Sequence, residues 1–236
     1  MGAALGWGAL AASSLVIGVG LAFVRSWSPL LIGLILAFGA GALISAVSLE
    51  LAEEGLRLGS GAAVAGGLAL GALTYYGADG ALARRDKAAG KGGGGSGTSL
   101  ALGSFLDGVP EQAVLGIGLA GGEPVSVALL VAIFVSNLPE GIGAGTDMQA
   151  GGMARGKIFR IFLVVGLVCT LSSVAGFAIA DNVSGDFQAA VNGFAAGALL
   201  VMLIDSMIPE AREKGLRRAG LVAVVGFAVA TALSTV

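Results

Sequence analysis

The 236-residue chain has no histidine and a single cysteine, Cys169. The first absence removes Ser-His-Asp catalysis, His-ligated zinc and His proton relays together. The second excludes an internal disulfide and any thiolate metal cluster, and Cys169 reads as a small apolar filler. Charge is also scarce. Asp, Glu, Lys and Arg make up 12% of the residues, against about 25% in a typical soluble domain. The net charge of −2 offers no basic excess for a nucleic-acid partner. What the chain has instead is 56% hydrophobic residues and 42 glycines. The apolar residues collect in runs of about 20, the length a helix needs to cross a bilayer. Glycine in that setting lets helices approach closely. Stretches such as Ala65-Gly66-Gly67 suit such contacts, within one protomer or between two in a homodimer.

The runs predict an all-α integral membrane protein with eight spans and the bilayer as its solvent. They fall near Leu5–Val24, Leu30–Leu51, Gly61–Gly77, Thr98–Ala120, Val125–Met148, Ile158–Ala180, Phe187–Ile208 and Ala219–Val236. No Lys or Arg precedes the first, and at about 20 residues it is too long for a signal-peptide core. The whole chain, 1–236, reads as one transporter-like domain. Within it, 78–97 is polar and ends in Gly92-Gly93-Gly94-Gly95-Ser96-Gly97, which predicts a flexible loop. With eight spans, all of the 13 basic residues except Arg57 fall on the side opposite the termini. The positive-inside rule then places both termini outside the cell and the long loop in the cytoplasm. The expected location is the plasma membrane, crossed several times.

A repeat lies within this plan. Phe38-Gly39-Ala40-Gly41-Ala42-Leu43-Ile44 in span two matches Phe194-Ala195-Ala196-Gly197-Ala198-Leu199-Leu200 in span seven. The register continues until Glu54 meets Glu210. The two spans have opposite directions, so the match predicts inverted three-helix repeats, spans one to three and six to eight, around spans four and five. Inverted repeats with a midplane site are a recurrent transporter plan.

Spans four and five carry the unusual chemistry. Asp107-Gly108-Val109-Pro110-Glu111 and Ser136-Asn137-Leu138-Pro139-Glu140 each interrupt an apolar run with a Pro-Glu pair. An ionisable residue there is expensive and marks a functional site by default. At about 1.5 Å of rise per residue, Asp107 and Asn137 lie roughly 14 Å and 18 Å from opposite ends of their spans. In a core about 30 Å thick those depths are similar. Asp107 and Glu111 share a helix face, as do Ser136, Asn137 and Glu140. Pro110 and Pro139 free the carbonyls of Leu106 and Val135. Carboxylate, amide, hydroxyl and carbonyl oxygens are the hard ligands suited to divalent cations. Carboxylates gathered in apolar surroundings need a cation or protons, so cation binding should release protons. Outside this set, Glu50, Glu53 and Glu54 read as a solvated helix end or as an access funnel for cations. Asp205 reads as an exit-side or interface residue, and Glu210 as part of a wet helix end.

On these residues the chain resembles the ZIP family of zinc- and iron-transporting permeases. The family's span-four motif His-Asn-x-Pro-Glu-Gly is matched by Asp107-Gly108-Val109-Pro110-Glu111-Gln112, and the span-five motif His-Glu-x-Pro-Glu-Gly by Ser136-Asn137-Leu138-Pro139-Glu140-Gly141. The stretch Phe194–Glu210 is similar as well. The resemblance implies that Asp107, Glu111, Ser136, Asn137 and Glu140 occupy metal-ligand positions. It implies import of a divalent metal (zinc, iron or manganese type) as substrate, with no resident cofactor and no enzyme activity. Both family histidines are replaced, by Asp107 and Ser136, and Gly108 stands where the family has Asn. Oxygen ligands alone would admit manganese, iron(II), cobalt, cadmium or magnesium. Two other readings stay open from the residues. One is a proton-coupled carrier of a small organic or cationic solute, using Glu111 and Glu140. The other is an intramembrane hydrolase using Asp107 with Asp205.

Overall fold

The computed structural model describes residues 1–88, 97–120, 125–180 and 184–234. Among them there is no strand, and the helices form eight rods, one for each expected span. These are α1 (Gly2–Val24), α2 (Pro29–Leu58), α3 (Gly61–Ala88), α4 (Gly97–Gly118), α5 (Val127–Ala150), α6 (Arg155–Ala180), α7 (Gly185–Gly215) and α8 (Arg218–Leu233). Five of them, α1, α2, α5, α6 and α7, are long and apolar enough to cross a membrane, the pattern of a multi-pass membrane protein. Helix α8 is apolar but shorter.

Local chemistry sets several ends. Trp27 donates its indole N–H to the carbonyl of Leu21 at 3.1 Å, under the guanidinium of Arg25, and so ties down the turn after α1. Ser28 then caps α2 by accepting from the Leu31 N–H at 3.2 Å, with Pro29 at the first helical position. Ser126 caps α5 in the same way, accepting from Leu129 at 3.1 Å. Helix α3 runs on to Ala88, well past the expected end of its span at Gly77. The stretch Ala81-Leu82-Ala83-Arg84-Arg85 explains this, since these residues are strong helix formers whatever their charge. The rest of the expected loop, 89–96, lies outside the described residues, and Gly97 already belongs to α4.

Both α2 and α7 are broken by a π-helical turn, at Val47–Ala52 and at Leu203–Met207. The helices pack in pairs. α3 lies along α7 and α2 along α8, α1 along α5 and α4 along α6, while α2 meets both α5 and α7. Exchanging α1 with α6, α2 with α7, α3 with α8 and α4 with α5 turns the first four of these pairs into one another, whereas α2–α5 becomes α7–α4, which touch less. Glycine makes the tightest of these contacts. A side chain at Gly226 would run into the carbonyl of Phe38, and one at Gly71 into the carbonyl of Phe194. Those two phenylalanines open the matched stretches of α2 and α7. The core is lined by small and aliphatic residues of α2, α5 and α7, such as Leu36, Leu43, Ile133, Ile142, Leu199 and Met202. α1, α3, α6 and α8 turn large apolar side chains outward, among them Leu10, Leu73, Leu163 and Val224.

Candidate metal site

Pro110 and Pro139 sit inside α4 and α5, and the residues around them converge in the interior. Glu111 and Asn137 are each 1% exposed and Ser136 is fully buried, although all three are polar. The Ser136 hydroxyl lies 3.4 Å from Glu111 Oε1 and 3.0 Å from the carbonyl of Ile133, to which it can donate. The Asn137 amide stands beside the Glu111 carboxylate, yet among the described residues neither its Oδ1 nor its Nδ2 meets a partner in hydrogen-bond geometry. Glu111 Oε2 and Glu140 Oε1 are likewise buried and unpartnered. Ser104, one helix face along α4, interacts with the Glu140 carboxylate. Native interiors satisfy nearly all buried polar atoms, and each orphan costs about 1–3 kcal/mol. Four of them, three oxygens and one amide nitrogen, lie on two adjacent helix segments.

The close fit of α2 helps make this volume. A Cβ at Gly39 would lie 2.9 Å from Ser136 Cα, so only glycine lets α2 approach α5 at this level. Gly39 belongs to the stretch of α2 that matches Phe194–Leu200 of α7, where Ala195 takes its place. On the other side, a Cβ at Gly108 would lie 2.7 Å from Cys169 Sγ. The sulfur of α6 therefore occupies the space beside α4 that a larger residue at 108 would fill. Cys169 is fully buried in an apolar cluster with Leu15, Phe162 and Val165.

Asp107 is placed differently from the others. One turn before Glu111, it accepts a hydrogen bond from the Tyr75 hydroxyl of α3. Asp79 and Glu210 act on its charge from the same quarter. Glu210 itself pairs with Lys214 at 2.5 Å. The structure thus brings Glu111, Ser136 and Asn137 together, with Glu140 and Asp107 both near enough for their charges to act there, and Asp107 already bonded to Tyr75. Among the described residues, no three His, Cys, Asp or Glu side chains are arranged to hold one ion by themselves. In this conformation a cation would be met by two glutamates together with the amide and hydroxyl oxygens of α5.

Residues that the sequence reading passed over now have places. Tyr75 is 4% exposed and holds Asp107; the Tyr75-Tyr76 pair inside an apolar span was the available signal. Ser104 is buried facing Glu140. Glu54 pairs with Arg57 at 2.9 Å on the exposed surface, as a solvated helix end should. Glu50 departs from that description, since its Oε1 is buried without a partner. It lines a cavity of about 880 Å³ together with Glu53, Glu54, Asn192 and Ser126. The π turn around it shifts the side-chain register of α2. Asp205 lies exposed in the π turn of α7.

No protein-family model matches this chain. It is 29% identical over 220 residues to an Arabidopsis thaliana protein named "Putative zinc transporter". The aligned region takes in 90% of this chain and 35% of that protein, so the chain spans about a third of the relative's length.

Proposed function

We propose that this chain is a ZIP-like helical carrier that moves a divalent cation into the cytoplasm through a site between α4 and α5. The observation that carries the reading is the set of unpartnered buried atoms on Glu111, Asn137 and Glu140. A dehydrated cation satisfies such oxygens at once, and the two glutamates offset its charge. Ser136 supplies a hydroxyl beside Glu111. Asp107 receives or releases the ion from the side of Tyr75, Asp79 and Glu210. When the cation leaves, protons take its place on the carboxylates, so transport runs with proton counterflow. The name of the Arabidopsis thaliana relative supports a metal cargo. The oxygen-rich ligand set supports zinc together with manganese, iron(II), cobalt and cadmium.

The four main helix pairs, which turn into one another when α1–α3 are exchanged with α6–α8 and α4 with α5, support inverted repeats. Halves related in that way would allow alternating access by movement of one bundle against the other. The basic residues support termini outside and the long loop in the cytoplasm. The test is uptake by proteoliposomes across a panel of metals, with Glu111→Ala and Glu140→Ala beside the wild type. Each substitution should abolish metal flux. Flux that survives both would refute the reading, and solute uptake without metal would favour a proton-coupled carrier.

A further inference from the structure

A groove of about 510 Å³ runs along the outside of the bundle between α4 and α6, away from the metal site. Its walls are apolar, built by Leu102 and Phe105 of α4 and by Ile161 and Val164 of α6. At the end where both helices begin, Lys157 and Arg160 border it. No Asp or Glu lines it, and neither cation forms an ion pair among the described residues. Their neighbour Arg155 differs, because it donates to Gln149 at 3.0 Å and lies over the Phe23 ring. Lys157 and Arg160 are thus two exposed cations, without an ion pair among the described residues, at the mouth of an apolar channel.

The dimensions narrow the occupant. From Lys157 to Val168 the groove follows α6 for about 16 Å at about 1.5 Å per residue. One leaflet is half of a hydrocarbon core about 30 Å thick. A groove one leaflet long, apolar throughout and cationic at one end, complements a molecule with one long apolar tail and an anionic head. We infer that this groove binds an anionic phospholipid, with an acyl chain along α4 and α6 and the phosphodiester between Lys157 and Arg160. A zwitterionic lipid would fill the same groove, but its own cationic group would offset the attraction of the two side chains. Juxtamembrane cations add attraction for acidic lipid, charge by charge. The inference is independent of the cargo, because none of these residues reaches the α4–α5 site.

The test uses the full chain in detergent micelles, titrated with phosphatidylglycerol or phosphatidylcholine and read by native mass spectrometry. Wild type should bind the first phosphatidylglycerol more tightly than the first phosphatidylcholine. The double variant Lys157→Ala/Arg160→Ala should lose that preference, a drop of roughly 25-fold for two charges. Lys157→Arg should keep it. Leu102→Trp, which fills the groove, should weaken both lipids. Both cations are exposed, so the charge variants should melt as wild type does. Equal binding of the two lipids by wild type, or a preference that survives the double alanine variant, would overturn the inference. So would a lipid-free dimer that dissociates on Val164→Lys, since a second copy would then be the occupant.

Discussion

Asn137→Leu should make the metal-free protein more stable and a worse carrier. Asn137 is 1% exposed, and both polar atoms of its amide lack partners. Each such atom costs about 1–3 kcal/mol, and replacing it by an apolar group of similar shape removes that cost. Leucine shares the branched outline of asparagine and fits a helix better, although it is larger and its extra bulk costs part of the gain. Two relieved atoms, at about 4 kcal/mol together, less about 2 kcal/mol for overpacking, give a gain of about 2 kcal/mol. For a chain of this size each kcal/mol moves the melting point by about 2–4 °C, so a rise of roughly 4–8 °C is expected in chelator-treated protein. Adding zinc or manganese should raise the melting point of wild type, because the ion binds only the folded state. The same addition should move the variant little, and its uptake should fall by about 10–100-fold, the usual range for a weakened metal site. A variant that melts below wild type without metal would show that Asn137 is already satisfied. The argument from orphan atoms would then be wrong.

Other expectations concern the bundle and the flank of the site. Gly71→Ala should destabilise by about 1–3 kcal/mol, because its Cβ meets the Phe194 carbonyl. Gly66→Ala, where nothing lies within 4 Å, should stabilise by about 0.5–1 kcal/mol; melting curves decide both. Gly108→Ala should be destabilising alone and much less so with Cys169→Ala, a coupling of about 0.5–3 kcal/mol in a double-mutant cycle. Tyr75→Phe removes the donor to half-buried Asp107 and should cost about 1.5–3 kcal/mol. Its effect on transport should be confined to the affinity measured from the cytoplasmic side.

The eight rods were legible because apolar length is written residue by residue, and the buried polar residues around Pro110 and Pro139 because Pro-Glu pairs have no ordinary place in such runs. Glu111 and Asn137 are as deeply buried as their positions implied. The end of α3 was not legible. Charged residues after Gly77 mark departure from lipid, and a helix can continue into water beyond that point. The Tyr75–Asp107 bond joins positions 32 residues apart on separate helices, and no local pattern encodes it. Glu50 shows the same limit. Its place near a helix end left solvation and an access funnel both open, and a π turn, invisible in composition, accompanies the burial of one of its oxygens. Cys169 was read correctly as a filler, though only packing reveals that the space it fills is the one left by Gly108.

Zinc K-edge X-ray absorption on the purified, zinc-loaded protein bears most directly on whether oxygens of α4 and α5 hold the ion. The nearest shell should be oxygen or nitrogen at about 2.0–2.2 Å, and Glu111→Ala and Glu140→Ala should each abolish stoichiometric loading. A sulfur shell near 2.3 Å, or unchanged loading and spectra in both variants, would contradict the assignment of the site.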